Sequence, residues 1–252
     1  MAKTSRFKEE QFNTKSDFEY LEKLSEFFDK SIGTNIEKLQ NFSKFVPRQD
    51  LTNFLAKYEL FKKILSVPGS IIECGLGFGG GLMTFAHLSS IFEPINFERK
   101  IIGFDSFSGL TKISEEDKLS VSKFAKVGGF SINSYDDLKE CVELFDKNRF
   151  LNHVQKIEII KGDAVQTIPK YIKRYPSTIV SLLYLDFLAY EPTKVALKYF
   201  IPRMPKGSII ALNVLNDKHW PGTTKVLLES IKINELKFER FSFTPYTQFV
   251  VL

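Results

Sequence analysis

Apolar side chains recur along this chain with two different periods, and the period changes near residue 68. Phe18, Leu21, Leu24, Phe27 and Phe28 stand three and four residues apart, which predicts an amphipathic helix over 17–30. Ser31-Ile32-Gly33-Thr34 breaks it. A second short helix is expected over 34–44. Pro47 ends that one, and Asp50 or Thr52 is placed to cap a third over 51–65. Residues 1–15 are polar and read as a loose leader without the apolar stretch of a signal peptide. Pro68-Gly69 stops the third helix. From residue 70, short apolar runs alternate with helical spacing. Strands are expected at 70–74, 100–105, 156–163, 178–186 and 208–213, with helices over 82–92, 165–174, 193–200 and 221–233 between and after them. Two last strands near 236–243 and 246–252 are placed to form an antiparallel hairpin around Thr244-Pro245. The run at 178–186 is apolar throughout, as in a strand buried on both faces.

Alternating strands and helices predict an α/β fold, a Rossmann-like, doubly wound, mostly parallel seven-stranded sheet with an antiparallel last strand, preceded by N-terminal helices. Residues 1–66 are then a helical extension, serving as a lid or an oligomer contact, and 67–252 the main domain. Within it, residues 107–150 form a long insertion with a helix near 135–147. Connections of that length are usually lids or substrate loops, and Phe107, Phe124, Phe130 and Tyr135 are candidates to close over an acceptor.

Composition narrows the class without changing the fold. Of 252 residues, 43% are apolar and 26% charged, ordinary values for a globular protein. The longest apolar run, about Ile179 to Leu185, falls far short of the roughly 20 residues of a bilayer span. Cys74 and Cys141 make no disulfide framework, so a cytoplasmic protein is expected, with no membrane partner. The net charge of +5 is spread along the chain, and residues 1–66 hold 12 basic and 10 acidic side chains. Nucleic-acid binding needs a concentrated basic face, and none is visible.

The chemistry begins at Gly75-Leu76-Gly77-Phe78-Gly79, which follows a strand and opens a helix. Glycines let the backbone turn sharply and approach a ligand, and the helix N-terminus offers free N–H groups. Two ligands fit. A dinucleotide would use glycines 75, 77 and 80. S-adenosylmethionine (SAM) would use an acid before the loop, Glu73, and the alternating glycines 75, 77 and 79. Asp105 ends the second strand, where an acid accepts from ribose hydroxyls, and Asp163 ends the third, where it can accept from an adenine amine. Either acid could also be a turn or helix cap. Both fall where open sheets bind ligands, at strand C-termini.

On these residues the chain resembles the macrocin O-methyltransferase (TylF-like) group of class I SAM-dependent methyltransferases. The likeness runs over roughly residues 50–230. It is carried by Glu73-Cys74-Gly75, Phe104-Asp105-Ser106-Phe107-Ser108-Gly109-Leu110, Lys161-Gly162-Asp163-Ala164, Tyr184-Leu185-Asp186, Tyr190-Glu191-Pro192-Thr193, the stretch from Pro202 to Ala211, and Trp220-Pro221-Gly222. It implies methyl transfer from SAM to a hydroxyl of a sugar or similar small molecule, with Ser106 and Ala164 joining the cofactor residues; a homo-oligomer is expected separately, with the N-terminal helices as a candidate contact. It also implies a divalent metal held by carboxylates at the ends of the fourth and fifth strands. The sequence departs there: the acids are replaced by Leu188, Asn213 and Val214, and no metal ligand is assigned. Asp186 is the first candidate base, and beside the cofactor; His219 is the second. His87 and His153 have no motif around them. A SAM-binding protein without turnover, in a regulatory or scaffolding role, is the alternative that the lost acids favour, and a nicotinamide oxidoreductase the one that the glycines allow.

Overall fold

Seven strands form one sheet in the order β3-β2-β1-β4-β5-β7-β6. The structure, a computed structural model, describes residues 14–252, so the expected leader lies outside the described residues up to residue 13. The parallel strands are β1 (Ser70–Cys74), β2 (Ile101–Asp105), β3 (Ile157–Lys161), β4 (Val180–Leu185) and β5 (Ile209–Leu212). β7 (Gln248–Val251) runs antiparallel between β5 and β6 (Phe238–Arg240), which makes the expected hairpin. β6 stops earlier than the sequence suggests because the chain turns there, with Phe241 stacked on Phe243 and Phe249.

The described residues fall into two compact units, the first ending at Thr52 and the second running from Asn53 to Leu252. In the first, α1 (Lys15–Lys30) and α2 (Asn35–Gln40) each begin with a reciprocal capping box, Thr14 with Asp17 and Thr34 with Glu37. Lys38 Nζ donates to Phe28 O at 2.6 Å, and Phe45 packs on Phe27 and Phe28. α3 (Arg48–Lys63) corrects one expectation. It starts directly after Pro47, whose carbonyl accepts the first helical bonds, so Asp50 and Thr52 lie inside its first turns and are not caps.

In the second unit, side chains alternate between two apolar clusters, one on each face of the sheet. α4 (Gly80–Phe92), α5 (Tyr135–Lys147) and the second half of α3 cover one face, meeting Ile71, Leu182 and Tyr184. α6 (Ala164–Arg174), α7 (Tyr190–Phe200) and α8 (Pro221–Ser230) cover the other, meeting Ile72, Leu183 and Ile210. The strand order reverses its direction of growth between β1 and β4. In open α/β sheets that switch point leaves a crevice at the strand C-termini. Gly75 and Asp186, one residue past β1 and β4, stand at its two lips.

Candidate active site

The glycine loop is shaped by contacts that only glycine allows. Gly75 has φ +90°, and a Cβ on it would lie 2.4 Å from the Asp186 carbonyl oxygen. The ends of β1 and β4 therefore touch through backbone. Gly79 caps α4 in the left-handed conformation, φ +85°, and a Cβ there would meet Leu138 Cδ1 at 2.3 Å. α4 has no side-chain cap and no acid of its own in its first turn, and the buried Glu73 carboxylate, paired with Lys57, lies against Gly81 there; the first N–H groups of the helix face the strand ends. The residues fit the carboxylate end of an amino-acid-like cofactor. Gly79→Ala is expected to cost about 1–2 kcal/mol, from left-handed strain and displacement of Leu138. Thermal melting should show a Tm lower by roughly 3–6 °C.

Asp105 ends β2 with its carboxylate folded back onto the loop. Oδ2 accepts the N–H groups of Leu76 (2.6 Å) and Gly77 (3.2 Å), and Oδ1 accepts that of Phe107 (2.6 Å). A carboxylate has about four acceptor sites; three are used and one is left. Ser106 donates to Gly109 O and accepts from Ser108, closing a tight turn. Asp163 caps α6, accepting from Val165 N at 3.0 Å, and Ala164 is buried behind it. Glu73 is buried, and its Oε1 is bound to Lys57 Nζ at 2.9 Å.

Asp186 lies half-buried one residue beyond β4, and Asn213, one residue beyond β5, donates through Nδ2 to both of its carboxylate oxygens at 3.2 Å. Burial pushes the Asp186 carboxyl up to about 7, against the opposing pull of the Asn213 hydrogen bonds and the Lys57 charge. The structure thus brings Asp186, Gly75 and Asn213 together, with Asp105 tied to the same loop.

His219 belongs to a different knot. It is buried, with Nδ1 2.5 Å from Asp217 Oδ1, and its carbonyl accepts from Ser120 Oγ of the insertion. The insertion is anchored here. Phe124 and Phe130 pack on one another and Phe130 on Trp220, with centroids 4.7 and 5.5 Å apart. Phe107 is buried in the core against Tyr135, so it does not face an acceptor. Asp117, which sequence reasoning missed, is buried and accepts the Tyr190 N–H, capping α7 from 73 residues away.

The metal that the resemblance implies does not fit this donor set. Asn213 turns its NH₂ to Asp186, and an amide N–H cannot ligate a cation. Leu188 and Val214 supply no oxygen, and Asp217 is engaged by His219. Among the described residues, no group of three or more His, Cys, Asp or Glu side chains could hold a metal ion. No described helix is long and apolar enough to cross a membrane.

The chain is similar to a structure of CalS11, calicheamicin methyltransferase, with 29% identity, 98% of each chain covered and a TM-score of 0.91. A second CalS11 structure, described as the apo form of a TDP-rhamnose 3'-O-methyltransferase in calicheamicin biosynthesis, is 30% identical over 95% of both chains, with a TM-score of 0.82. The O-methyltransferase NovP, at 15% identity, covers 79% of this chain and 78% of its own with a TM-score of 0.58, and shares the fold. No protein-family model matches the sequence, and no curated protein does.

Proposed function

This chain belongs to the SAM-dependent O-methyltransferase family that includes CalS11, and within it we propose that the acceptor is a hydroxyl of a nucleotide-linked deoxysugar or a similarly glycosylated metabolite. The macrocin (TylF-like) likeness is the finer assignment within that family. Family membership replaces the dinucleotide interpretation of the glycine loop. The observation that carries the proposal is the contact of the glycine loop with Asp186 at the switch point. This contact, made through the Asp186 backbone, supports reading Asp186 as the base close to the N-terminus of α4.

SAM, when bound, supplies a methyl group on a positively charged sulfur that becomes a neutral thioether as the acceptor C–O bond forms. The chain's own residues do the rest. The N-terminus of α4 holds the carboxylate end of the cofactor. Asp105 keeps one acceptor site for a ribose hydroxyl, and Asp163 can use its second oxygen for the adenine amine. Ser106 and Ala164 shape the walls at those two strand ends. Asp186 takes the acceptor proton, and a base whose pKa lies near the working pH is the efficient kind. Holding acceptor and methyl carbon in line contributes on the order of 7–11 kcal/mol. His219, oriented by Asp217, is the second candidate base. A homo-oligomer in the cytoplasm is part of the proposal.

The test is calorimetric titration of the protein with SAM in buffer containing a chelator, followed by methyl transfer to TDP-rhamnose. Saturable binding and a methylated sugar are expected. Absence of saturable binding, or binding with no transfer to any TDP-linked deoxysugar, overturns the proposal.

A further inference from the structure

The end of β4 lacks a metal-type donor set but is not loosely arranged. Tyr184, in β4, and Asp186, one residue beyond its end, are both reached by the Asn213 side chain. The Tyr184 hydroxyl donates to Asn213 Oδ1 at 3.5 Å, while Asn213 Nδ2 donates to both oxygens of Asp186. An amide has an accepting end and a donating end. Occupying the first with a phenol O–H decides that the second faces the carboxylate.

The Tyr184 ring is itself fixed. Lys57 Nζ lies 3.3 Å from its centroid, and Phe85 meets it edge-on at 5.9 Å. Lys57 is pinned in turn by Glu73. Tyr184, Lys57 and Glu73 are all buried. The charged and titratable groups whose fields reach Asp186 are Lys57 from α3, Glu73 from β1, Asp105 from β2 and Tyr184 from its own strand. A buried ion pair is a weak source of stability, and this one lies directly against the Tyr184 ring. The backbone points the same way. Leu188 has φ +59°, a conformation that Asp or Asn adopts more easily than Leu. Local geometry would have favoured an acid there, and the chain carries a leucine.

We propose that the Tyr184–Asn213 clamp, backed by Lys57, replaces a divalent metal in this enzyme: it orients the Asp186 carboxylate, which acts as a base and not as a ligand. The proposal rests on Asp186 being the base. The acceptor O–H bond breaks with its proton going to Asp186 while the oxygen forms a bond to the methyl carbon; the methyl–sulfur bond breaks with its electron pair left on sulfur, and no Lewis acid is required.

The experiment compares wild type, Tyr184→Phe, Asn213→Leu and Asp186→Asn. Magnesium titrated alone into the cofactor-free wild type should give no saturable heat at millimolar concentration, and EDTA should leave turnover unchanged. Tyr184→Phe keeps the ring over Lys57 and loses only the hydroxyl. It is expected to lower kcat about tenfold, the worth of one hydrogen bond, with unchanged KM and no rescue by magnesium. Asn213→Leu, of similar size, should lose at least as much, and decides the matter if Tyr184→Phe fails to fold. Saturable magnesium binding by the wild type, loss of activity in EDTA, or wild-type rates in Tyr184→Phe and Asn213→Leu overturns the proposal. Full activity in Asp186→Asn overturns instead the assignment of the base.

Discussion

Replacing Asp186 by asparagine is expected to slow methyl transfer by about 10²–10⁴-fold, the usual contribution of a positioned general base, and at the same time to stabilise the fold. The two effects share one cause. Burial holds the Asp186 carboxyl up at about 7, far above its ordinary value, so ionising it at neutral pH costs folding free energy. The folded-state value lies above the unfolded one. Between about pH 4 and pH 7 the folded protein therefore keeps a proton that the unfolded chain has released, and stability falls as pH rises through that window. Above about 7 the full cost, on the order of 4 kcal/mol, is present. Asparagine does not titrate. The variant should melt above wild type at pH 8, and the gap should close as pH falls toward 4. Wild-type kcat/KM, which reports the free protein's groups, should fall about tenfold per pH unit below 7 and level off above it, because only the carboxylate accepts a proton. A variant of full activity, or one with no gain in Tm at pH 8, contradicts the assignment.

Local signals and distant ones differed in how much of this site they made visible. The five parallel strands were legible because each is a short apolar run ended by glycine, an acid or a turn. α5 was legible to its end residues because its apolar spacing stops at both. The glycine loop and Asp186 could be found because their meaning lies in a few consecutive residues. Lys57 could not. Its neighbours Lys62, Lys63 and Glu59 are charged, and nothing within a turn of it signals that its ammonium is buried. Its partners are 16 and 127 positions away, at Glu73 and Tyr184. Asp117 was hidden for the same reason, since a cap supplied from across the fold has no spacing rule. Asp50 and Thr52 failed in the opposite way. Both are good capping residues, but Pro47 had already set the helix entry three residues earlier. Asp105 and Asp163 show a third case. Position marked them as ligand acids, and the structure also gives each a backbone duty.

Lys57→Met should be the most destabilising single change in this site, at about 3–5 kcal/mol, because it strands a buried carboxylate. Glu73 already has one oxygen, Oε2, without a hydrogen-bond partner, and burial pushes its carboxyl up while Lys57 pulls it down. Burial also works against the charge on Lys57, but the attraction of Glu73 and Tyr184 outweighs it and its ammonium stays raised above the usual lysine value. Each charge is tolerated only through the other. Removing both, as Lys57→Met with Glu73→Leu, is therefore expected to recover most of the lost stability in a denaturant titration, since apolar replacements of buried ion pairs are often neutral. Turnover should not recover with it. The double variant leaves Tyr184 without the ammonium beneath its ring, so kcat should stay several-fold below wild type at an unchanged KM. If stability and turnover return together, the pair only fills space, and the Tyr184–Asn213 clamp holds Asp186 without support from below. If stability returns alone, the desolvation cost of a buried lysine and glutamate is maintained for the sake of the base above them.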